Sequence, residues 1–181
     1  CYHKALSAPA NCRMCLVEIK DRPKLEVSCR TVAQDGMVVF TQSERVLEAR
    51  RYVMEFLLIN HPLDCPECDQ AGECMLQDYS FQHGPGHSRY KEKKRILPYK
   101  DLGPGVVLYT TRCIMCTRCI RFCEEIAGSG ELRAFEHGSI TQIDIYPGKP
   151  LSNPLAGNVV DICPVGALVD KDFLHKTRVW N

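Results

Sequence analysis

A chain of 181 residues with 23 Lys+Arg against 22 Asp+Glu carries a formal net charge of +1. That balance supplies no electrostatic reason to bind nucleic acid or an anionic membrane surface. Twelve cysteines are far above ordinary usage. They leave three explanations: a disulfide scaffold, zinc sites, or iron–sulfur clusters. No signal peptide is visible, and no apolar run reaches membrane-spanning length, since Val53–Ile59 already contains Glu55. The composition reads as a soluble protein of a reducing compartment, where disulfides are disfavoured.

The first predicted elements are short strands. Residues 16–20 and 25–29 flank a turn at 21–24, and 37–41 read as a further strand. A helix follows. Thr41 and Glu44 stand at capping-box spacing, and Val46, Ala49, Val53, Phe56 and Leu57 recur at helical intervals. Pro62 predicts that this helix stops near Asn60. A short helix is expected from Met75 towards Gln82, ended by Gly84-Pro-Gly86. Residues 84–105 are polar, basic and rich in Gly and Pro, and read as a surface linker or a loop wrapping its neighbours. A helix over 117–127, ended by Gly128, and a hairpin through 134–136 and 141–146 complete the predicted elements.

The cysteines fall into three groups. The first is Cys1, Cys12, Cys15 and Cys29, a Cys-x2-Cys pair with one thiol on either side, as a [2Fe–2S] centre requires. Ten residues separate Cys1 from Cys12, where the plant-type signature has four. The match is therefore to the architecture, and a four-cysteine zinc site fits the same spacing.

The second group is His61, Cys65, Cys68 and Cys74. Alone, His61 reads as a residue placed for its charge at a helix C-terminus. With three cysteines following and no fourth nearby, it reads as a ligand of a [4Fe–4S] centre, with a three-cysteine, one-histidine zinc knuckle as the alternative. A neutral imidazole in place of a thiolate leaves the cluster one unit less negative and, taken alone, favours the reduced state.

The third group, Cys113, Cys116, Cys119 and Cys123, is a C-x2-C-x2-C-x3-C run, the strongest signal in the chain. In two-cluster ferredoxins the fourth cysteine of such a run serves the other cluster and is followed by proline. Here the Cys-Pro pair is Cys163-Pro164. Counting back from Cys163 by the same spacing finds Val159, Ala156 and Asn153, so the second cluster has lost its ligands. Cys163 then completes a [4Fe–4S] set with Cys113, Cys116 and Cys119, and Cys123 is left as a free, buried thiol. Eleven cysteines and one histidine make three sets of four. Three zinc sites would also close this count, but the cysteine run with a remote Cys-Pro is cubane grammar. Arg112, Arg118 and Arg121, beside this group, could bias its potential or bind a partner, but read first as solvated surface charge.

Cys1-Tyr-His-Lys4, Asn11-Cys-Arg-Met-Cys-Leu-Val-Glu18, Glu55-Phe-Leu-Leu-Ile-Asn-His-Pro-Leu-Asp-Cys-Pro-Glu-Cys68, Gly72-Glu-Cys74, Asp101-Leu-Gly-Pro104, Thr111-Arg-Cys113, Cys116-Thr-Arg-Cys119 and Gly157-Asn-Val-Val-Asp-Ile-Cys-Pro-Val-Gly-Ala167 stand in order along nearly the whole chain. Together they resemble the N-terminal cluster-binding region of the large iron–sulfur subunit of respiratory complex I, the NADH:quinone oxidoreductase (the 75-kDa subunit in mitochondria). Two positions depart from the usual pattern: Ala10 where relatives usually have Gly, and Cys123 where many have Ala or Thr.

The resemblance implies an α+β chain. Residues 1–42 would form a truncated β-grasp [2Fe–2S] domain whose opening strands precede Cys1. Residues 43–84 would form a helical, His/Cys-ligated [4Fe–4S] segment, and 85–181 a bacterial-ferredoxin-like [4Fe–4S] domain that has lost its second cluster. It also implies an electron wire with no substrate chemistry of its own. Electrons would pass from a flavin on an NADH-oxidising subunit to the [2Fe–2S] site. The Cys113 cubane, the His61 cubane and a quinone-side iron–sulfur subunit would follow. The place implied is the peripheral arm of a membrane complex, on the bacterial cytoplasmic face or the mitochondrial matrix side, without membrane insertion. NAD-linked hydrogenases, formate dehydrogenases and [FeFe] hydrogenases carry similar modules. The lost second cubane favours complex I.

Overall fold

The computed structural model describes all 181 residues. Strand β1 (Leu16–Ile19) pairs antiparallel with β2 (Glu26–Val27) on one edge and β3 (Val39–Phe40) on the other. Both predicted outer strands are shorter than their sequence runs. Val17 and Ile19 of β1 are buried, whereas Val39 and Phe40 face outward. Helix α1 (Glu44–Leu58) packs on β1 and on helix α2 (Met75–His83). Its cap is Ser43, whose hydroxyl accepts from the Val46 amide at 3.4 Å, and not Thr41 as the spacing suggested. Its inward face carries Val46 and Met54, both 0 % exposed, while Phe56, expected in the apolar stripe, is 73 % exposed. Val46, Arg50, Met54 and Leu57 follow the i, i+4 and i+3 steps that keep one face of a helix turned inward.

The predicted linker wraps α1 and is more ordered than a loop. The Lys94 ammonium donates to the Leu58 and Ile59 carbonyls at 2.7 and 3.0 Å, satisfying acceptors that a helix end leaves open. Arg89 pairs with Glu55, holding that carboxyl down at about 2 through its hydrogen bonds. Residues Tyr99–Asp101 then form strand β4, which the composition concealed. β4 pairs with β5 (Val106–Tyr109), and β5 with β8 (Leu168–Asp170), in a second antiparallel sheet. Between β5 and β8 lie α3 (Arg118–Glu125), the hairpin β6 (Leu132–Phe135) and β7 (Gln142–Ile145), and α4 (Asn158–Ile162). The local sequence pattern does not mark β5, β8 or α4.

One buried cluster runs through the middle of the molecule, with Met54, Leu102, Leu108, Leu132, Ile143, Leu151, Val159 and Val165 at its centre. Five of the twelve cysteines are buried. No helix is long and apolar enough to cross a membrane.

Candidate cluster-binding sites

Every cysteine is a free thiol, and eleven of them gather around three cavities. Cys1, Cys12, Cys15 and Cys29 share the wall of one cavity of about 300 Å³. The Cys12–Cys15 loop brings its amides inward: the Cys12 N–H donates to the Cys1 sulfur at 3.4 Å. Ala10 and Arg13 adopt φ of 55° and 63°, the left-handed region, to make this tight loop. Desolvation and the neighbouring Cys15 push the Cys29 thiol up, and the Ala10 amide pulls it back.

His61, Cys65, Cys68 and Cys74 line a second cavity of about 230 Å³, between the end of α1 and the start of α2. Desolvation lowers the His61 imidazole to about 4, so it is neutral at pH 7. Its Nδ1 is buried without a hydrogen-bond partner. Burial pushes Cys68 and Cys74 up, while the Gln77 and Leu76 amides at the start of α2 act against it at Cys74. These are the thiols and the neutral imidazole that a cluster needs, and the positive field of bound iron would offset the cost of their ionisation.

Cys113, Cys116, Cys119 and Cys163 line a third, small cavity between α3 and the end of α4. Desolvation pushes Cys113 up to about 12 and Cys119 well above its ordinary value, and raises Cys163. Amides of Leu168, Val165 and Ala167 face Cys163 and act against that rise. Met115 and Thr117 take φ of 51° and 60°, which threads the cysteine run around the cavity. Cys123 lines none of the three cavities and is 0 % exposed, against the Leu132 amide and Ser129.

The cavities share walls. Ile114 and Arg118 line both the first and the third, and Leu76 lines both the first and the second. The Cys163–Leu168 segment threads among all three: Pro164 faces the first, Gly166 the second, and Cys163, Val165, Ala167 and Leu168 the third. Asn11 donates its side-chain amide to the Met115 carbonyl, joining two cysteine loops.

The arginines overturn the expectation of solvated charge. Arg112, Arg118 and Arg121 are only 4, 7 and 7 % exposed. Arg112 pairs with Asp64 at 2.6 Å and lies over the Tyr109 ring. Arg118 donates to the Tyr2 carbonyl at 2.6 Å and the Ile162 carbonyl at 3.2 Å. Arg121 donates to the carbonyls of Cys1, Ser7 and Cys116. Neither Arg118 nor Arg121 has a carboxylate within ion-pair distance. The hydrophobic period of α3 was the available signal: the turn that buries Cys119, Ile120, Phe122 and Cys123 sweeps in Arg118 and Arg121.

Residues 1–44 match the family described as a 2Fe-2S iron-sulfur cluster binding domain, and 50–89 match the NADH-ubiquinone oxidoreductase-G iron-sulfur binding region. Residues 103–169 match the ferredoxin-like domain of NADH-quinone oxidoreductase subunit 3. The mixed helix–strand fold and its thiol-lined cavities thus define an iron–sulfur protein. The mitochondrial NADH dehydrogenase [ubiquinone] iron-sulfur protein 1 of Solanum tuberosum is 51 % identical over 99 % of the chain and 24 % of its own length. The NADH-ubiquinone oxidoreductase 75 kDa subunit of Reclinomonas americana is 48 % identical over 99 % of the chain and 26 % of its own length. An NADH-quinone oxidoreductase subunit of Rickettsia conorii is 49 % identical over 99 % of the chain, covering 27 % of that relative. Over nearly its whole length the chain is similar to one region of these iron–sulfur subunits, and it spans about a quarter of their length. A crystal structure of an NAD+-reducing [NiFe]-hydrogenase in the H2-reduced state superposes with a TM-score of 0.86 at 27 % identity, over 99 % of this chain and 77 % of that one.

Proposed function

We propose that this chain carries electrons from an NADH-oxidising flavin subunit towards quinone reduction in a respiratory complex I. On this reading it holds one [2Fe–2S] and two [4Fe–4S] clusters, which supply one-electron redox chemistry when bound. The single observation that carries the reading is the sorting of eleven cysteines and His61 into three quartets, each around its own cavity.

Cys1, Cys12, Cys15 and Cys29 would hold the two-iron group on a truncated β-grasp unit, residues 1–42. His61, Cys65, Cys68 and Cys74 would hold a four-iron group on 43–84. Cys113, Cys116, Cys119 and Cys163 would hold the other on 85–181, with Cys123 left as a free thiol. A four-donor zinc site at each group is the alternative chemistry, and metal and sulfide analysis separates the two. The chain's own work is to hold these donors, to line the sites with apolar side chains that exclude water, and to aim backbone amides at sulfur. Partners are then the flavin subunit and a quinone-side iron–sulfur subunit, in the peripheral arm on the bacterial cytoplasmic or mitochondrial matrix side.

The hydrogenase likeness favours a second reading, the same module serving an NAD-linked hydrogenase. Identity of 49–51 % to complex I subunits against 27 % to the hydrogenase chain supports the first. The test is iron, sulfide and zinc content of anaerobically prepared protein, with EPR after dithionite reduction. About ten irons and ten sulfides per chain, with both cluster types in the spectrum, is the expected result. Stoichiometric zinc without labile sulfide overturns it.

A further inference from the structure

Arg118 is a buried cation in the partition between two of the cavities. It lines the cavity of Cys1, Cys12, Cys15 and Cys29 and also that of Cys113, Cys116, Cys119 and Cys163. It does not line the cavity of His61. The residue is 7 % exposed, and its two terminal nitrogens are fixed by the Tyr2 and Ile162 carbonyls, one from the N-terminal loop and one from α4. One of them also lies 3.7 Å from the Met75 sulfur. Its Nε is buried with no hydrogen-bond partner.

A buried guanidinium cannot shed its proton, and burying it without a counter-charge is costly. Arg112 meets that cost with Asp64. Arg118 has carbonyl partners but no carboxylate. With clusters bound, the negative charge available to it would be that of the two cysteine groups whose cavities it lines.

We propose that Arg118 is a positioning residue whose single charge serves as counter-ion to both the [2Fe–2S] site and the Cys113/Cys116/Cys119/Cys163 site, and so raises their reduction potentials together. Adding an electron makes each centre more negative, and a fixed cation in low dielectric favours that step at both. A single residue thereby shifts two consecutive sites in the same direction, while the His61 site, whose cavity it does not line, is set independently. This inference rests on the cluster assignment above.

The test uses the full-length subunit in its assembled complex, with anaerobic redox titrations of each EPR signal. Wild type, Arg118→Met and Arg118→Lys are compared. Arg118→Met is expected to disfavour reduction of both the two-iron and the ferredoxin-like four-iron centre by about tenfold, close to 59 mV for one electron. The His61 centre stays unmoved, and Arg118→Lys recovers most of the loss. A shift at only one of the two centres, at neither, or equally at all three overturns the proposal. If Arg118→Met fails to retain clusters, Arg118→Gln, which keeps donors but removes the charge, decides: a fall of about tenfold at both centres supports a charge role, and unmoved potentials or a fall at only one overturn it. A wild-type complex without these signals overturns the cluster assignment as well. Normal signals with unmoved potentials overturn the Arg118 role alone.

Discussion

Gly166 lies so close to Cys68 that a methyl group on its Cα would overlap the Cys68 sulfur, and would stand 3.1 Å from the Gln70 Cβ. The residue is buried between the second and third cavities, on the segment that follows Cys163. The requirement is steric. No positive φ is involved, so glycine is needed here for its missing side chain alone.

Gly166→Ala is therefore expected to cost about 1–3 kcal/mol by overpacking and to fall hardest on the site of His61, Cys65, Cys68 and Cys74. Iron analysis should show about four irons fewer per chain, with the two-iron EPR signal retained. Full iron content with an unchanged spectrum would show that the backbone yields freely.

Ala10 is the opposite case. It holds φ of 55° in the loop that carries Cys12 and Cys15. A non-glycine residue in that region costs about 1–2 kcal/mol, of which glycine's extra freedom in the unfolded chain gives back about 0.5–1 kcal/mol. Ala10→Gly should stabilise the loop by roughly the difference. The visible absorbance of the two-iron centre should then survive to a higher temperature in the variant; an earlier loss would contradict the strain argument.

Cys123 and Cys119 differ by one turn of α3 and should differ sharply when replaced. Cys119→Ala removes a wall of the third cavity, and about four irons should go with it. Cys123→Ala touches no cavity, so iron and sulfide stay at wild-type levels, with about 1 kcal/mol lost from packing. Loss of iron in Cys123→Ala would make it a ligand after all.

His61→Cys tests the imidazole through charge. The substitution adds one negative unit to that site, which disfavours reduction. Its midpoint potential should fall by about 59 mV or more, a tenfold change for one electron, while the other two centres hold theirs. An unchanged potential would place His61 outside the donor set.

The grouping of the cysteines around three cavities was partly legible in the sequence because spacing is a local property: Cys-x2-Cys and Cys-x2-Cys-x2-Cys place thiols within one loop or one helical turn. The three helices that frame the sites were readable for the same reason, through periodicity and the breakers at Pro62, Gly84 and Gly128, although the cap of α1 is Ser43 and not Thr41. β4, β5 and β8 were not. β5 and β8 pair across a long stretch of chain, Val106 with Asp170 at the extreme, while β4 is a short hairpin partner of β5 inside a polar, basic segment that masks it.

The sequence by itself determined which thiols stand close together, because covalent spacing limits what one loop can reach. Only the tertiary structure decided that the three cavities share walls, that Gly166 presses on Cys68, and that Arg118 is buried between two sites instead of solvated. Those relations depend on where distant segments come to rest. A side chain beside a cysteine in sequence can face water or a cluster with the same letters around it, and packing of α3 against the N-terminal loop and α4 settles which.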